Sequence, residues 1–218
     1  MAQPASCTTG LVIDNLDPQA SGLIKVGYFS PGRAERVDVW ARLSMPMAGA
    51  DCGFWFLPEI DDEVLLAFGG DEHEVFVIGS VWNGQSRPPH KVTSDSARPP
   101  ARGLIRTRHG LQLAFEDVAG HERVVIETPA GQRVVLSDGP AGVEITDANG
   151  NAVLLAAHGV TVTAASRVTI NAAQVEVVAG MLTVDAGMSR FSGVVQCETL
   201  ITNSVVSASY TPGAGNIW

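Results

Sequence analysis

The chain has 218 residues, 45% of them hydrophobic but only 6% aromatic, and carries a formal net charge of −9. So acidic a surface repels phosphate backbones and argues against a nucleic-acid partner. No run reaches the roughly 18 apolar residues that a membrane-spanning helix needs, and residues 1–10 lack the basic-then-apolar order of a secretory leader, so synthesis in the cytoplasm is expected.

Abundant Val, Ala and Thr, punctuated by 23 glycines, favour short strands and turns. No stretch shows the helical period, and an all-β protein is predicted. Strands are expected at residues 10–15, 22–28, 36–43, 63–68 and 75–81, separated by Asp17-Pro18, Pro31-Gly32, Ala48-Gly49 and Gly69-Gly70. Five short strands within residues 1–86 predict an OB-like barrel. Residues 87–103 hold Pro88, Pro89, Pro99 and Pro100 among polar residues and read as an extended connector.

Residues 104–218 follow another rule. Apolar pairs separated by one residue recur as Val124/Ile126, Val134/Leu136, Val143/Ile145, Val153/Leu155, Val160/Val162, Val168/Ile170, Val175/Val177 and Leu182/Val184. Between them stand turn residues such as Ala130-Gly131, Asp138-Gly139, Asn149-Gly150, Gly159, Asn171-Ala172 and Ala179-Gly180. One short strand plus one turn, repeated, is the signature of a solenoid or β-helix with one dry face. The repeat is too short for a single-chain coil, and each strand offers few inward side chains. Three interwound chains would bury those residues and pair every strand edge. The predicted trimer core is Val143, Ile145, Val160, Val162, Val168, Ile170, Val175, Val177, Leu182 and Val184. A single-chain solenoid or a plain antiparallel sandwich is the other reading.

Few residues suggest catalysis. Glu59, Asp61, Asp62, Glu63, Asp71, Glu72 and Glu74 cluster around an apolar strand, where they serve turns and solvation. No Gly-x-Ser-x-Gly motif occurs, and no Cys or Ser pairs with a His. Cys7, Cys52 and Cys197 read as reduced thiols. Of the histidines, His73, His90, His109, His121 and His158, none lies beyond residue 158, and His121 and His158 read as turn or surface residues. Trp40, Trp55 and Trp82 could stack on bases, but lysines are only Lys25 and Lys91, and the tryptophans lie in motifs that read as barrel core and rim. No enzyme activity, cofactor or metal site is expected. An OB-type oligonucleotide or glycan binder with a β-solenoid appendage is the functional alternative.

The stretches from Gly10 to Pro18, Val37 to Leu43, Pro46 to Gly49, Gly53 to Pro58, Asp62 to Phe68, Gly70-Asp71, Val77 to Asn83 and Pro88-Pro89 occur in one order. In that order they resemble the baseplate assembly protein V family of contractile phages, and are similar to the OB domain of type VI secretion valine-glycine repeat spikes. Arg106 to Gly110 and Leu113 to Asp117 resemble the opening of that family's triple-stranded β-helix. The resemblance implies an OB barrel followed by a trimeric interwound β-helix needle. It implies a structural central spike that docks on a trimeric hub protein, touches the target membrane transiently, and is assembled into a virion tail or extracellular contractile injection particle. With the barrel beginning near Met1, the hub is expected to be a separate protein, and the short connector has no room for an inserted lysozyme-like domain. Some family needles end in a His-x-His pair that binds iron, which this tail lacks. Tyr210, Pro212, Ile217 and Trp218 are accordingly expected to cap the needle or dock a PAAR-type tip protein.

Overall fold

The computed structural model describes residues 7–30, 32, 34–69, 74–89, 102–139 and 142–208, and these hold fourteen strands and no helix. The first seven are β1 (Cys7–Asp14), β2 (Leu23–Phe29), β3 (Arg36–Leu43), β4 (Ala48–Gly49), β5 (Cys52–Gly53), β6 (Glu63–Phe68) and β7 (Val75–Ser80). Strands β1, β2, β3, β7 and β6 close in that order into a barrel, while β4 and β5 form a separate small hairpin. Neighbours in the barrel are antiparallel except β3 and β7, which run parallel with Arg42 opposite Phe76. This is the connectivity of an OB barrel. The strands expected at 36–43 and 63–68 have those bounds, and the other three start or end a few residues away.

Alternation along these strands sends every second side chain inward. Val12, Ile24, Val26, Ala41, Val64, Leu66 and Val77 are completely buried there, and the Tyr28 and Phe68 rings meet at 5.3 Å, tilted to one another. Gly10 marks the tightest point. A Cβ on it would stand 2.9 Å from Leu66 Cδ1 and 3.0 Å from the Gly27 carbonyl oxygen, so β1 must be bare where it crosses the core. Cys7, Cys52 and Cys197 are exposed free thiols.

The other seven strands are β8 (Arg102–Arg106), β9 (Gln112–Glu116), β10 (Arg123–Glu127), β11 (Arg133–Ser137), β12 (Val143–Thr146), β13 (Ala152–Ala156) and β14 (Gly159–Thr163). Each pairs antiparallel with the next, giving one open meander sheet. The apolar pairs between residues 124 and 162 thus sit on hairpin strands of one chain. Local closure explains this, because a hairpin loop of a few residues costs little chain entropy. Among the described residues no strand follows Thr163, and positions 164–208 run without regular pairing. The chain divides into two units, Met1–Val168 and Thr169–Trp218.

Within the first unit, Arg108 ties the opening hairpin of the meander to the barrel. Its Nε lies 2.5 Å from Glu59 Oε2 and its Nη2 lies 3.3 Å from Asp62 Oδ1. The acidic cluster therefore acts partly as a strap. Asp62 also accepts from the Glu59 backbone N–H at 2.9 Å, and Glu63 accepts from Asn83 Nδ2 at 2.8 Å.

Candidate assembly interface

Residues directly opposite in an antiparallel ladder point to the same side of the sheet. The registers of β8 to β14 therefore sort the meander into two faces. One carries Leu104, Ala114, Val125, Val135, Glu144, Leu154 and Thr161 along its middle. Polar side chains bridge over this stripe. Gln112 Nε2 donates to Glu127 Oε2 at 2.9 Å, Arg123 pairs with Glu116, and Arg133 Nη1 lies 3.7 Å from Glu144 Oε2. Under that cover Ala114, Val125 and Val135 are buried.

The opposite face has no such cover. One row across the strands reads Gly103, Phe115, Val124, Leu136, Val143, Leu155, Val160. The adjacent row reads Ile105, Leu113, Ile126, Val134, Ile145, Val153, Val162. Apart from Gly103 every position is a large apolar side chain. In the single chain most of them stay exposed, Ile145 keeping 46% of its surface and Val160 68%, while Leu113, Val124, Val134, Val143 and Val153 are half-buried. A continuous apolar face of this extent is the mark of a protein-protein interface, because soluble monomers rarely expose one. The outer edge of β14 also pairs with no other described strand, leaving backbone groups open to another chain.

Four of the predicted trimer-core residues, Val143, Ile145, Val160 and Val162, lie on this face. Val168, Ile170, Val175, Val177, Leu182 and Val184 belong to the stretch without strand pairing after β14 and are exposed in the single chain. The predicted core leaves out Ile105, Phe115, Val124, Ile126, Val134, Leu136, Val153 and Leu155, which share the face. Their signal is present in the sequence, since Leu113-Ala114-Phe115 has the same spaced form as the pairs from Val124 onward. Tyr210, Pro212, Ile217 and Trp218 lie outside the described residues.

Three turns on one edge of the meander are built alike. Thr107, Thr128 and Asp147 each open one, and the backbone N–H of Leu111, Gln132 and Asn151 donates back to the opening side chain at 3.1, 3.2 and 2.8 Å. The fourth position is Gly110, Gly131 or Gly150, each at positive φ. Asp147 is the most heavily bonded opener. Side-chain donation from Asn151, then its backbone N–H and the donors of Asn149, hold the Asp147 carboxyl down at about 2. In the barrel, Asp17 plays a similar part in the β1–β2 loop. Backbone N–H donation, chiefly from Gln19, holds its carboxyl below the usual carboxylate range.

The barrel shows a second apolar surface. Phe54, Trp55, Phe56 and Trp82 are exposed, and an open groove of about 810 Å³ runs between residues 20–23 and the hairpin of β4 and β5, with Arg42, Met47 and Trp55 in its walls. Trp55 and Trp82 thus stand at the barrel surface, and Trp40 is half-buried. His121 and His158 are exposed. Among the described residues no group of three His, Cys, Asp or Glu side chains could hold a metal ion.

Comparison with known proteins assigns both halves. Residues 8–82 match the type VI secretion system/phage-baseplate injector OB domain, and residues 123–188 match the phage baseplate V C-terminal trimerisation domain. This chain belongs to the phage baseplate V family. The family is one of structural baseplate and spike proteins of phage tails and related injection systems. The trimerisation match takes in the meander from β10 to β14, which carries most of the apolar face, and runs on past Thr163. A relative, the actin cross-linking toxin VgrG1 of Vibrio cholerae serotype O1, is 28% identical over 111 residues, which are 48% of this chain. The match spans only 10% of that relative's length.

Proposed function

We propose that this baseplate V protein is a homotrimeric central spike, which docks on a trimeric hub protein and pierces the target envelope when the sheath contracts. The observation that carries this reading is the uncovered apolar face of the meander within a segment that matches a trimerisation domain. Three copies set face to face would turn two wet apolar rows into a dry axis. The stretch after Thr163 would then find backbone partners in the other chains, with Val168, Ile170, Val175, Val177, Leu182 and Val184 continuing the core. In this reading residues 1–86 form the OB domain, 87–103 the connector and 104–218 the needle with its tip segment.

Each remaining surface has a role in this arrangement. The exposed aromatics of the barrel, Phe54, Trp55 and Phe56, are a suitable contact for the hub. Tyr210, Pro212, Ile217 and Trp218 are assigned to the needle end, where they cap it or seat a PAAR-type tip protein. The work is mechanical. Force is transmitted through a stiff trimer into a small area of membrane, and no bond is made or broken by this chain.

Electron cryomicroscopy of tail-like particles carrying a tagged copy of the chain tests the assignment. The tag is expected on the particle axis below the hub. Density elsewhere, or particles that assemble and puncture normally without the chain, would refute it.

A further inference from the structure

The three matching turns of the meander differ in charge at the position after the opener. Pro129 and Ala148 stand there in the second and third turns, and neither can carry a charge, whereas the first turn has Arg108. That first turn is also the one that meets the barrel, where Arg108 reaches the carboxylates of Glu59 and Asp62. Turn formation does not require the cation. The Leu111 N–H donates to Thr107 Oγ1, and the Gly110 N–H to the Thr107 carbonyl oxygen at 3.0 Å. Over Pro129 the same two bonds form, from Gln132 and from Gly131 to Thr128. Arg108 therefore holds a charge that its own turn does not use.

On the barrel side the two carboxylates are held in place. The loop before β6 is sewn to β1, with the Val12 N–H donating to the Asp62 carbonyl oxygen at 3.0 Å and the Asp61 N–H to the Val12 carbonyl oxygen at 2.9 Å. Asn15 Nδ2 donates to the Pro58 carbonyl oxygen at 3.1 Å. Asp62 divides its carboxylate, Oδ2 accepting from the Glu59 N–H and Oδ1 facing Arg108. Between them Asp61 sits at φ +71°, a left-handed conformation that is costly for a residue with a Cβ and that persists only where the surroundings fix it. Between Ser80 and Arg102, the chain that joins barrel to meander adds no strand among its described residues. Exposed ion pairs ordinarily contribute little, partly because two long side chains must be ordered to make one. Here the acceptors are already ordered and one guanidinium serves both of them. All three side chains reach water, so dissolved salt can screen the contact.

We propose that Arg108, Glu59 and Asp62 form an ionic joint that fixes the orientation of the barrel on its own meander, and that releases the barrel to swivel when salt screens it. The rigid turn carries the cation, the rigid loop carries the anions, and neither side has another charged tie across this contact among the described residues. In the trimeric reading above, three such joints would give the three barrels one common orientation. The joint itself lies within a single chain and does not depend on that reading.

Two measurements on the full chain test it. In the first, Arg108→Lys keeps the cation and supplies an amine that a carbodiimide can couple to a touching carboxylate. Mass spectrometry of the single-chain-sized band is expected to find residue 108 linked to 59 or 62. No such link, or a link found only in chain dimers, would overturn the joint. In the second, Cys7 and Cys197 are changed to Ser and a dye on the exposed Cys52 reports barrel rotation by time-resolved fluorescence anisotropy. The parent and Arg108→Lys are expected to turn as one body at low salt. Arg108→Glu is expected to raise the fast barrel component roughly fivefold, the scale of two exposed ion pairs. The parent in about 1 M salt, where the screening length falls to about 3 Å, is expected to follow it. Barrel rotation unchanged by Arg108→Glu would overturn the lock, and a parent indifferent to salt would overturn the release. Light scattering on the same samples separates the two readings, since a monomeric parent would refute the trimer without touching the link or the rotation.

Discussion

Changing Ile145 to Asp strikes the centre of the apolar face at the strand where the formed meander and the predicted trimer core overlap. Ile145 keeps 46% of its surface in the single chain, opposite Val134 on one side and Val153 on the other. Burying the remaining half of an isoleucine side chain contributes about 1 kcal/mol, so three copies contribute roughly 3 kcal/mol, or about a hundredfold in the trimerisation constant. Aspartate forfeits that gain and brings a heavier penalty of its own. Three carboxylates would be drawn into a dry axis, and even after relaxation each buried ion costs several kcal/mol. Ile145→Asp is therefore expected to dissociate the trimer at micromolar protein, while the barrel's own core, which is remote in sequence and closed by β1 and β6, keeps its circular-dichroism signature. Glu144→Gln, one residue away on the polar face, loses only a long surface pair and should shift stability by less than about 1 kcal/mol. Sedimentation velocity across a concentration series reads both variants. If Ile145→Asp remained trimeric with an unchanged melting temperature, the apolar face would not be the interface and the reasoning would fail.

Two further perturbations test the parts that hold the chain in shape. Gly10→Ala pushes a Cβ to within 2.9 Å of Leu66 Cδ1 and 3.0 Å of a backbone oxygen, and overpacking of this kind should cost about 1–3 kcal/mol in denaturant unfolding of the barrel. A variant as stable as the parent would show that β1 can shift freely. Asp147→Asn tests the third turn through its pH dependence. The folded carboxyl is held at about 2 against an ordinary 3.8, so its contribution is present above the ordinary value and fades as pH falls toward the folded one. The stability gap between parent and variant should be constant above about pH 5 and close on the way down to pH 2; a gap independent of pH would show that the charge is not what the turn uses.

Much of this architecture is legible in the sequence, and the exceptions have physical causes. The barrel strands show because Val, Ile and Leu alternate with polar residues and are bounded by Gly and Pro, so face and extent are both written locally. The closure of β1 on β6 and the parallel pairing of β3 with β7 are not local properties, and only the ordered resemblance to a known domain implies them. In the second half, the spaced pairs from Val124/Ile126 to Val160/Val162 show correctly which residues share a face. They do not say whether the next strand belongs to the same chain, because the alternation is identical either way. Where the chain does fold back on one edge of the meander, a glycine at positive φ stands in the turn, at positions 110, 131 and 150. The Arg108 strap to Glu59 and Asp62 is invisible in sequence, since nothing local links residues so far apart. From sequence the acidic cluster consequently reads as turn chemistry alone.

The most direct measurement is the mass of the purified full chain by light scattering, at low micromolar concentration and again after warming. An interwound spike predicts a trimer near three times 22.8 kDa that resists both dilution and heat. A monomer of 22.8 kDa would contradict it, because the apolar face of the meander and the unpaired stretch beyond Thr163 would then have to remain in water.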